Sequence, residues 1–431
     1  MIDMQVANDS TIMRIRCREI IGCALVGSLG ILLLDALILR PGVGYDIEDK
    51  IVLYSIAVHD VMLRFRIDTW FRPLEYMILL AANNVYLPLW LGASLLCVVG
   101  ATILSALACE LLVERQLPKA GWWVLGIANP LLFYLVSTPG TVSQALCNLL
   151  FAGAMLAFIS ELRRLRDKQQ PSGWRTDRVA VSLNLMTAAL FFTKETAVAA
   201  AIVIPAATAL IRLKTRHLSP IFLFSLLLPI GAASGWMLIK LQLPLSTFAN
   251  PEGRYSPKLN FITWGENFIT TLAFPVTPLP SSFIAFDQLR PLWIVVALGS
   301  VTFFIAILLR ESLRQPRIIL PLLVVAASCA PMILIHSSEL YSTMIAPFAV
   351  SILLLFGVSK MRWPSLAYGL LLYTASLGNG IVYCLGADFN LLGLQRLPYS
   401  MYSKNHRQIP SCPIGTTAHV AWDGTAITCV R

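Results

Sequence analysis

Long apolar runs recur from one end of the chain to the other, and they restrict its fold more than any other feature. About 20 consecutive apolar residues cross the hydrocarbon core of a bilayer as a helix. Hydrophobic residues make up 57% of the 431 residues and charged residues only 13%, whereas a soluble domain carries about 25% charged residues. The sequence therefore predicts an all-α polytopic membrane protein with about eleven transmembrane helices. The predicted spans are residues 20–39, 87–113, 122–137, 142–162, 179–193, 197–211, 220–241, 292–309, 318–335, 345–358 and 365–385.

Two of these runs, 179–193 and 197–211, are short for a bilayer. The sequence leaves open whether they form two helices or one long broken helix. The first run, 20–39, ends without a small-x-small cleavage site, which favours a retained signal anchor over a cleaved signal peptide.

The formal net charge of +10 is distributed unevenly. The loops assigned to the cytoplasm are short and basic, whereas those assigned to the outside are long and of mixed sign. This is the positive-inside pattern. This pattern predicts a multi-pass membrane protein with a cytoplasmic N-terminus and a C-terminus outside the cytoplasm. Residues 1–385 would form the transmembrane domain, with outside loops at 41–86 and 242–290 and a small outside tail at 386–431. Interleaved aromatic and basic residues, the pattern expected for nucleic-acid binding, are absent from the sequence. The basic clusters lie at Arg14/Arg16/Arg18, Arg163/Arg164/Arg166/Lys168, Arg212/Lys214/Arg216, Arg310/Arg314/Arg317 and Lys360/Arg362.

The first outside loop carries three carboxylates within four residues, Asp46, Glu48 and Asp49. Crowded carboxylates raise one another's pKa values or attract a cation. They suit a general base, or a site for a divalent metal such as Mg²⁺ or Mn²⁺. The alternative is a solvated loop with ordinary acidic residues. The following stretch, 51–77, has apolar residues at roughly helical spacing, which predicts helices lying along the membrane surface. It contains Arg72, whose planar fork suits a phosphate.

Two further charged groups interrupt or border apolar runs. Lys194 and Glu195 lie between two short runs, where a charged pair is costly unless paired or hydrated. The alternative there is a tight outside turn with a surface ion pair. His336, Glu339 and Tyr341 lie at the outer end of a later span, where a histidine can also be a simple boundary residue.

The order of these motifs resembles polyprenyl-phosphate-sugar-dependent glycosyltransferases of the C-type superfamily, in particular the protein O-mannosyltransferase branch. Glu48-Asp49 is similar to the acidic pair of that branch, and Phe71-Arg72-Pro73-Leu74 to its Tyr-Arg-Pro-Leu motif. Phe192-Thr193-Lys194-Glu195-Thr196 resembles its Lys-Glu segment, and Ser338-Glu339-Leu340-Tyr341 its Ala-Glu-Arg-Tyr. Leu340 departs from the arginine of that motif, and no tetratricopeptide repeats follow.

The resemblance implies a bacterial inner-membrane enzyme, with its C-terminus in the periplasm. It implies transfer of a hexose or pentose from a polyprenyl-phosphate donor to a glycan, lipid or protein acceptor on the periplasmic face. It implies catalysis by Asp46, Glu48 or Asp49. It also implies donor binding by Arg72, Lys194, Glu195, His336, Glu339 and Tyr341. A transporter or flippase for a lipid-linked or anionic substrate is the main alternative, since both classes are polytopic. That class places ionisable residues near mid-membrane, within spans. An O-antigen polymerase or ligase is a third hypothesis.

The tail contains two cysteines, Cys412 and Cys429, seventeen positions apart. Between them, Asp423-Gly424 is flanked by strand-forming residues, a pattern typical of a β-hairpin turn. Disulfides persist in the oxidising compartment where the span count places this tail. The sequence therefore predicts a small hairpin stapled by a Cys412–Cys429 disulfide.

Overall fold

The computed structural model describes residues 18–30, 44–45, 73–74, 77, 88–127, 142–166, 174–242, 260–279, 288–334, 343–358, 367, 370–371, 374, 395–396, 417–420 and 427–430. Apart from four short strands, these residues are predominantly helical. Helix α1 covers residues 18–30. The others are α2 (Pro88–Val113), α3 (Lys119–Ile127), α4 (Val142–Arg166), α5 (Trp174–Leu190), α6 (Val198–Lys214), α7 (Pro220–Ser225), α8 (Leu227–Gln242), α9 (Phe261–Val276), α10 (Arg290–Arg314), α11 (Ile319–Ser328), α12 (Ala330–Leu334) and α13 (Ala346–Ile352), which continues as a π-helical turn, Leu353–Val358.

Helical residues fall in every one of the predicted spans. Among the described residues, four helices are long and apolar enough to cross a membrane: Gly92–Val113, Val142–Arg166, Pro220–Ile239 and Arg290–Arg314. Two shorter apolar helices, Pro316–Ser328 and Ala346–Phe356, accompany them. The fold is therefore a bundle of apolar helices suited to a membrane, as the composition predicts.

The two short runs form two helices, α5 and α6, that turn back on each other. Asp177 in the first turn of α5 accepts a hydrogen bond from Arg212 in the last turn of α6, at 3.1 Å. One continuous helix would separate these residues by about 50 Å, at 1.5 Å per residue. The alternative of one long broken helix is therefore wrong.

Charged side chains gather where many helices begin or end. Arg212 also bonds Glu161 near the end of α4, so α4 and α6 run parallel and α5 runs against them. Glu114, just after α2, bonds Arg166 of α4 and Arg317 before α11. We call this end of the bundle the ionic end, and the opposite end, where α4 begins and α5 ends, the motif end. The basic clusters at residues 163–166, 212–216 and 310–317 all lie at the ionic end, as positive-inside spans require.

Helix α4 is the centre of the bundle, because 78% of its apolar stretch is buried. The corresponding share is 22% for α7–α8 and for α10. Phe151 of α4 packs edge-on against Phe348 of α13, with ring centroids 5.6 Å apart. The α10 surface exposes Val295, Phe303 and Leu313. Exposed apolar side chains of this kind suit a surface that contacts lipid.

The strands form two small antiparallel pairs. Strand β1 (Gly44–Tyr45) pairs with β2 (Gln395–Arg396), which joins the start of the loop predicted to lie outside to the tail. Strand β3 (Thr417–Val420) pairs with β4 (Ile427–Val430) in the predicted tail hairpin. Their register is symmetric about the Asp423-Gly424 pair, as a two-residue turn there requires. The hairpin prediction is confirmed.

Candidate functional site

The motif end contains the parts of the predicted site that the structure describes. Leu74, the last residue of the Phe-Arg-Pro-Leu motif, donates its backbone N–H to the carbonyl of Phe192, at 3.3 Å. Phe192 begins the segment that carries Lys194, so two motifs far apart in sequence meet at one hydrogen bond. Residues 73 and 74 are helical. This contact is the strongest geometric support for a common site.

Lys194 lies in the connection between α5 and α6. A turn over Phe191–Thr193 is closed by bonds from Phe192 N–H to Ala189 and from Thr193 N–H to Leu190. A 3₁₀ turn, Glu195–Ala197, then leads into α6, and Ala197 N–H bonds the Lys194 carbonyl at 3.0 Å. The Lys194 side chain is only 3% exposed. The tight turn of the alternative hypothesis is present, but Lys194 is buried, so a surface ion pair is excluded for Lys194.

The remaining predicted site residues lie outside the described part of the chain. These are Asp46, Glu48, Asp49, Arg72, His336, Glu339, Tyr341 and Cys412. Their sequence neighbours are described: β1 ends at Tyr45, helical residues begin at Pro73, and Thr343 follows Tyr341 by two positions. Glu195 is described in its backbone alone. Within the described residues, no group of three His, Cys, Asp or Glu side chains could hold a metal, so the predicted metal site stays a prediction.

A chain of hydrogen-bonded polar side chains lies at the motif end and is not among the predicted site residues. Gln144, in the first turn of α4, donates from Nε2 to Asn148 Oδ1 at 2.8 Å. Asn148 in turn donates from Nδ2 to Thr343 Oγ1 before α13, also at 2.8 Å. All three side chains are buried. The signal was present, because two amides spaced i, i+4 in an apolar span share one helix face. We call Gln144, Asn148 and Thr343 the amide chain.

Helix α9, in a stretch predicted to be an outside loop, buries two polar side chains, Asn267 and Thr271. Asn267 donates to the carbonyl of Ile333 at 2.9 Å, and Thr271 one turn later is 3% exposed. Phe261 and Ile262 are exposed instead, at 83% and 71%. Glu266 is exposed as well, so the outer face of α9 is mixed and its inner face carries polar groups. Because α12 ends at the motif end, α9 adds polar groups there.

Unpartnered polar atoms concentrate at the same end. Buried polar groups are nearly always hydrogen-bonded, so each exception calls for an explanation. Of ten such side-chain atoms among the described residues, six lie at the motif end, two in mid-bundle and two at the ionic end. The six belong to Ser94, Gln144, Thr196, Thr271, Thr277 and Trp293. They are hydroxyl, amide and indole groups, a neutral set suited to other hydroxyl groups or to water.

The ionic end holds a different kind of site. Arg212, with a side chain 1% exposed, bonds Glu161 at 2.7 Å and Asp177 at 3.1 Å, and its guanidinium lies 4.3 Å from the centre of the Phe222 ring. Arg164 donates bidentate hydrogen bonds to the Glu161 carboxylate, at 2.7 and 3.1 Å. The two arginines and two carboxylates balance in charge. Their contacts join α4, α5, α6 and α7, so this cluster acts as a clamp between helices.

No known protein family, no curated protein and no solved structure shows a significant match to the chain.

Proposed function

We propose that the protein is a membrane glycosyltransferase, which moves a sugar from a polyprenyl-phosphate donor to an acceptor at the motif end. The hydrogen bond from Leu74 to Phe192 carries this proposal. It brings together two of the motifs on which the glycosyltransferase resemblance rests, although they are remote in sequence. The motif end would be the periplasmic face, since the basic helix ends lie at the other end.

Arg72 and Lys194 are the proposed ligands of the donor phosphate. Two residues span at most about 7 Å of chain, so both cationic residues are tethered close to the Leu74–Phe192 bond. A buried ammonium attracts a phosphate more strongly than an exposed one, because the local dielectric constant is lower. Arg72 would add bidentate hydrogen bonds to the phosphate oxygens. Glu195, His336, Glu339 and Tyr341 would complete the donor site.

The acidic residues would supply the base. Tyr45 ends β1 directly before Asp46, so the acidic run begins at a defined strand. In the proposed step, Asp46, Glu48 or Asp49 takes the proton of an acceptor hydroxyl. The acceptor oxygen forms a bond to the anomeric carbon, and the carbon–oxygen bond to phosphate breaks. Polyprenyl phosphate leaves with that electron pair, and the configuration at the anomeric carbon inverts.

The location of the charges argues against the transporter hypothesis. Within the described parts of the predicted spans, every Asp, Glu, Lys and Arg lies in the first two or last two turns of its span. A transporter would hold ionisable groups near the membrane midplane, where its substrate binds. The enzyme hypothesis requires charges only at the membrane surface, where the phosphate of the donor lies.

A transfer assay with a panel of polyprenyl-phosphate sugars tests the function directly. We expect the purified protein to release polyprenyl phosphate from one of them in the presence of an envelope-glycan acceptor. Lys194→Met should abolish donor use. Lys214→Met should leave donor use unchanged, because Lys214 is exposed at the ionic end. Arg72→Lys should also impair transfer, because a point charge lacks the bidentate fork.

The acids are tested with Asp46→Asn, Glu48→Gln and Asp49→Asn, each nearly isosteric. Removal of a general base typically lowers the rate about 10²–10⁴-fold. We expect this loss in at least one variant, with normal membrane insertion in all three. Full turnover in each of the three variants would show that the proposed mechanism is wrong.

A further inference from the structure

We propose that Gln144 binds a hydroxyl group of the sugar carried by the donor. This inference rests on the proposed function and adds to it a residue that discriminates between sugars. Gln144 is fully buried in the first turn of α4, and its Oε1 has no hydrogen-bond partner. The amide chain holds the rest of the side chain, through Asn148 and Thr343, in one orientation.

The missing partner does not depend on how the amides are oriented. As described, Gln144 Nε2 donates to Asn148, and Oε1 is left over. With both amides turned over, Gln144 Oε1 would accept from Asn148 Nδ2, and Thr343 would donate its hydroxyl to Asn148 Oδ1. Gln144 Nε2 would then be left over instead. In either case one polar atom of Gln144 lacks a partner.

A hydroxyl group satisfies both cases, because it donates and accepts. Sugars present several hydroxyls in fixed directions. The other unpartnered atoms at the motif end are also suited to hydroxyls, in particular the hydroxyl oxygens of Thr271 and Thr277. Cationic groups would hold the phosphate of the donor, and neutral groups its sugar. Thr343 lies two residues beyond Tyr341, which links the amide chain to the third predicted motif.

The two parts of the donor can be separated experimentally. The probes are polyprenyl phosphate without sugar and a panel of polyprenyl-phosphate hexoses and pentoses. Each is titrated into the detergent-solubilised protein, and its affinity is measured from the rise in the thermal unfolding midpoint. We expect wild type to bind one sugar-bearing donor more tightly than polyprenyl phosphate alone. Gln144→Met keeps the length of the side chain but removes its polar atoms. This variant should bind polyprenyl phosphate with normal affinity and the sugar-bearing donor with an affinity about fivefold lower, which is the effect of one hydrogen bond.

Asn184→Leu is the matched control. Asn184 is equally buried, donates to Ser225 at 2.7 Å and has an unpartnered Oδ1, but it lies in mid-bundle on α5. Its replacement should leave the preference for the sugar-bearing donor intact. Thr343→Val provides a second route if Gln144→Met fails to fold, since it releases the fixed end of the amide chain and should weaken the same preference.

The outcomes separate this inference from the proposed function. If wild type binds none of the probes, the proposed function fails. If wild type prefers a sugar-bearing donor and Gln144→Met keeps that preference in full, Gln144 has only a water partner and the inference fails. An equal loss in Asn184→Leu would show that the effect is on packing, and would also overturn the inference.

Discussion

Arg212 shows how a single side chain can hold together the end of a helical bundle. Its side chain is 1% exposed and contacts carboxylates from two different helices. Loss of one member of a buried ion network leaves the others as uncompensated charges, which is costlier than replacing the whole set. The sequence places Arg212 in a basic cluster predicted to be cytoplasmic, because the pattern of charges does not distinguish a buried arginine from its exposed neighbours.

We expect Arg212→Met to destabilise the protein by about 3–5 kcal/mol, the usual effect of breaking a buried pair. Asp177 would lose its bond to Arg212, while Glu161 would retain Arg164. The measurement is the thermal unfolding midpoint in detergent. Lys214→Met is the control, since Lys214 is exposed two residues away and should leave the midpoint unchanged. Equal midpoints in the two variants would contradict the clamp.

Glu114 gives the ionic end a dependence on pH. Hydrogen bonds from Arg166 and Arg317 hold the pKa of this carboxyl below its ordinary value of 4.5. A lowered folded pKa stabilises the protein above the unfolded pKa, and that stabilisation is lost as pH falls through the folded value. The pairs are partly exposed, so the effect is small and weakens with salt.

The expected result is a wild-type midpoint above that of Glu114→Gln near neutral pH, with a gap that closes as the pH falls below 4.5. Glutamine keeps the left-handed backbone at this position, where φ is 56°, so backbone strain is the same in both proteins. Thermal unfolding in low salt between about pH 7 and pH 3 measures the gap. A gap that is constant over this range would exclude the carboxylate as its source.

Helices α1 and α3 pack backbone to backbone, an arrangement that depends on glycine. A Cβ on Gly27 would lie 2.9 Å from the carbonyl oxygen of Gly126, and one on Gly126 would lie 2.7 Å from that of Cys23. Small residues allow membrane helices to approach this closely. Neither glycine was singled out from the sequence, because the contact joins two helices whose partnership has no local signal.

We expect Gly27→Ala to separate α1 from α3, at a cost of about 1–3 kcal/mol for overpacking. Gly30→Ala is the matched control on the same helix, since a Cβ there meets no atom within 4 Å. Alanine at that position should be neutral or slightly stabilising, because it favours the helix. Thermal unfolding of both variants in detergent decides the point. Equal stability of the two would mean that α1 and α3 do not pack as closely as described.

Which elements could be predicted depended on how local their signals are. Apolar length predicted helical residues in every span, and Asp423-Gly424 predicted the tail hairpin, because both signals are properties of short segments. The amide chain needed α4 and α13 to meet, and the division between α5 and α6 was settled only by a contact between their remote ends. Contacts of this kind follow from packing, which no single segment encodes.

At the scale of the whole molecule, the two ends of the bundle differ in how their described polar groups are paired. Acidic and basic side chains bind one another at the ionic end, whereas neutral unpartnered groups dominate the motif end. The proposed function would use this division. The ionic end would anchor the helices in the cytoplasmic headgroups, and the motif end would keep polar groups for the donor.

The tail disulfide remains a prediction, and the register of the hairpin shows which residue lies opposite Cys429. Ala418, not Cys412, lies opposite Cys429 in the described strands. A Cys412–Cys429 bond would therefore require the segment between Cys412 and β3 to fold back toward Cys429 in β4. We expect thiol labelling of both cysteines in membrane vesicles only after reduction. Prompt labelling of both without reductant would exclude the bond and leave the hairpin unstapled.

Sidedness is the last prediction, and it follows from the paths of the chain ends. Helix α1 begins at the ionic end, where Glu19 pairs with Lys119 at 3.6 Å, and runs away from it. Strand β1 follows and pairs with β2, so the tail should lie on the side of the motif end. With Cys412 and Cys429 changed to serine, His419→Cys should react with a membrane-impermeant maleimide in intact cells. Lys214→Cys should react only after permeabilisation, because it lies in the basic cluster at the opposite end. Labelling of both from the same side would place the acidic loop and the clamp on one face of the membrane, and the proposed periplasmic site would have to be abandoned.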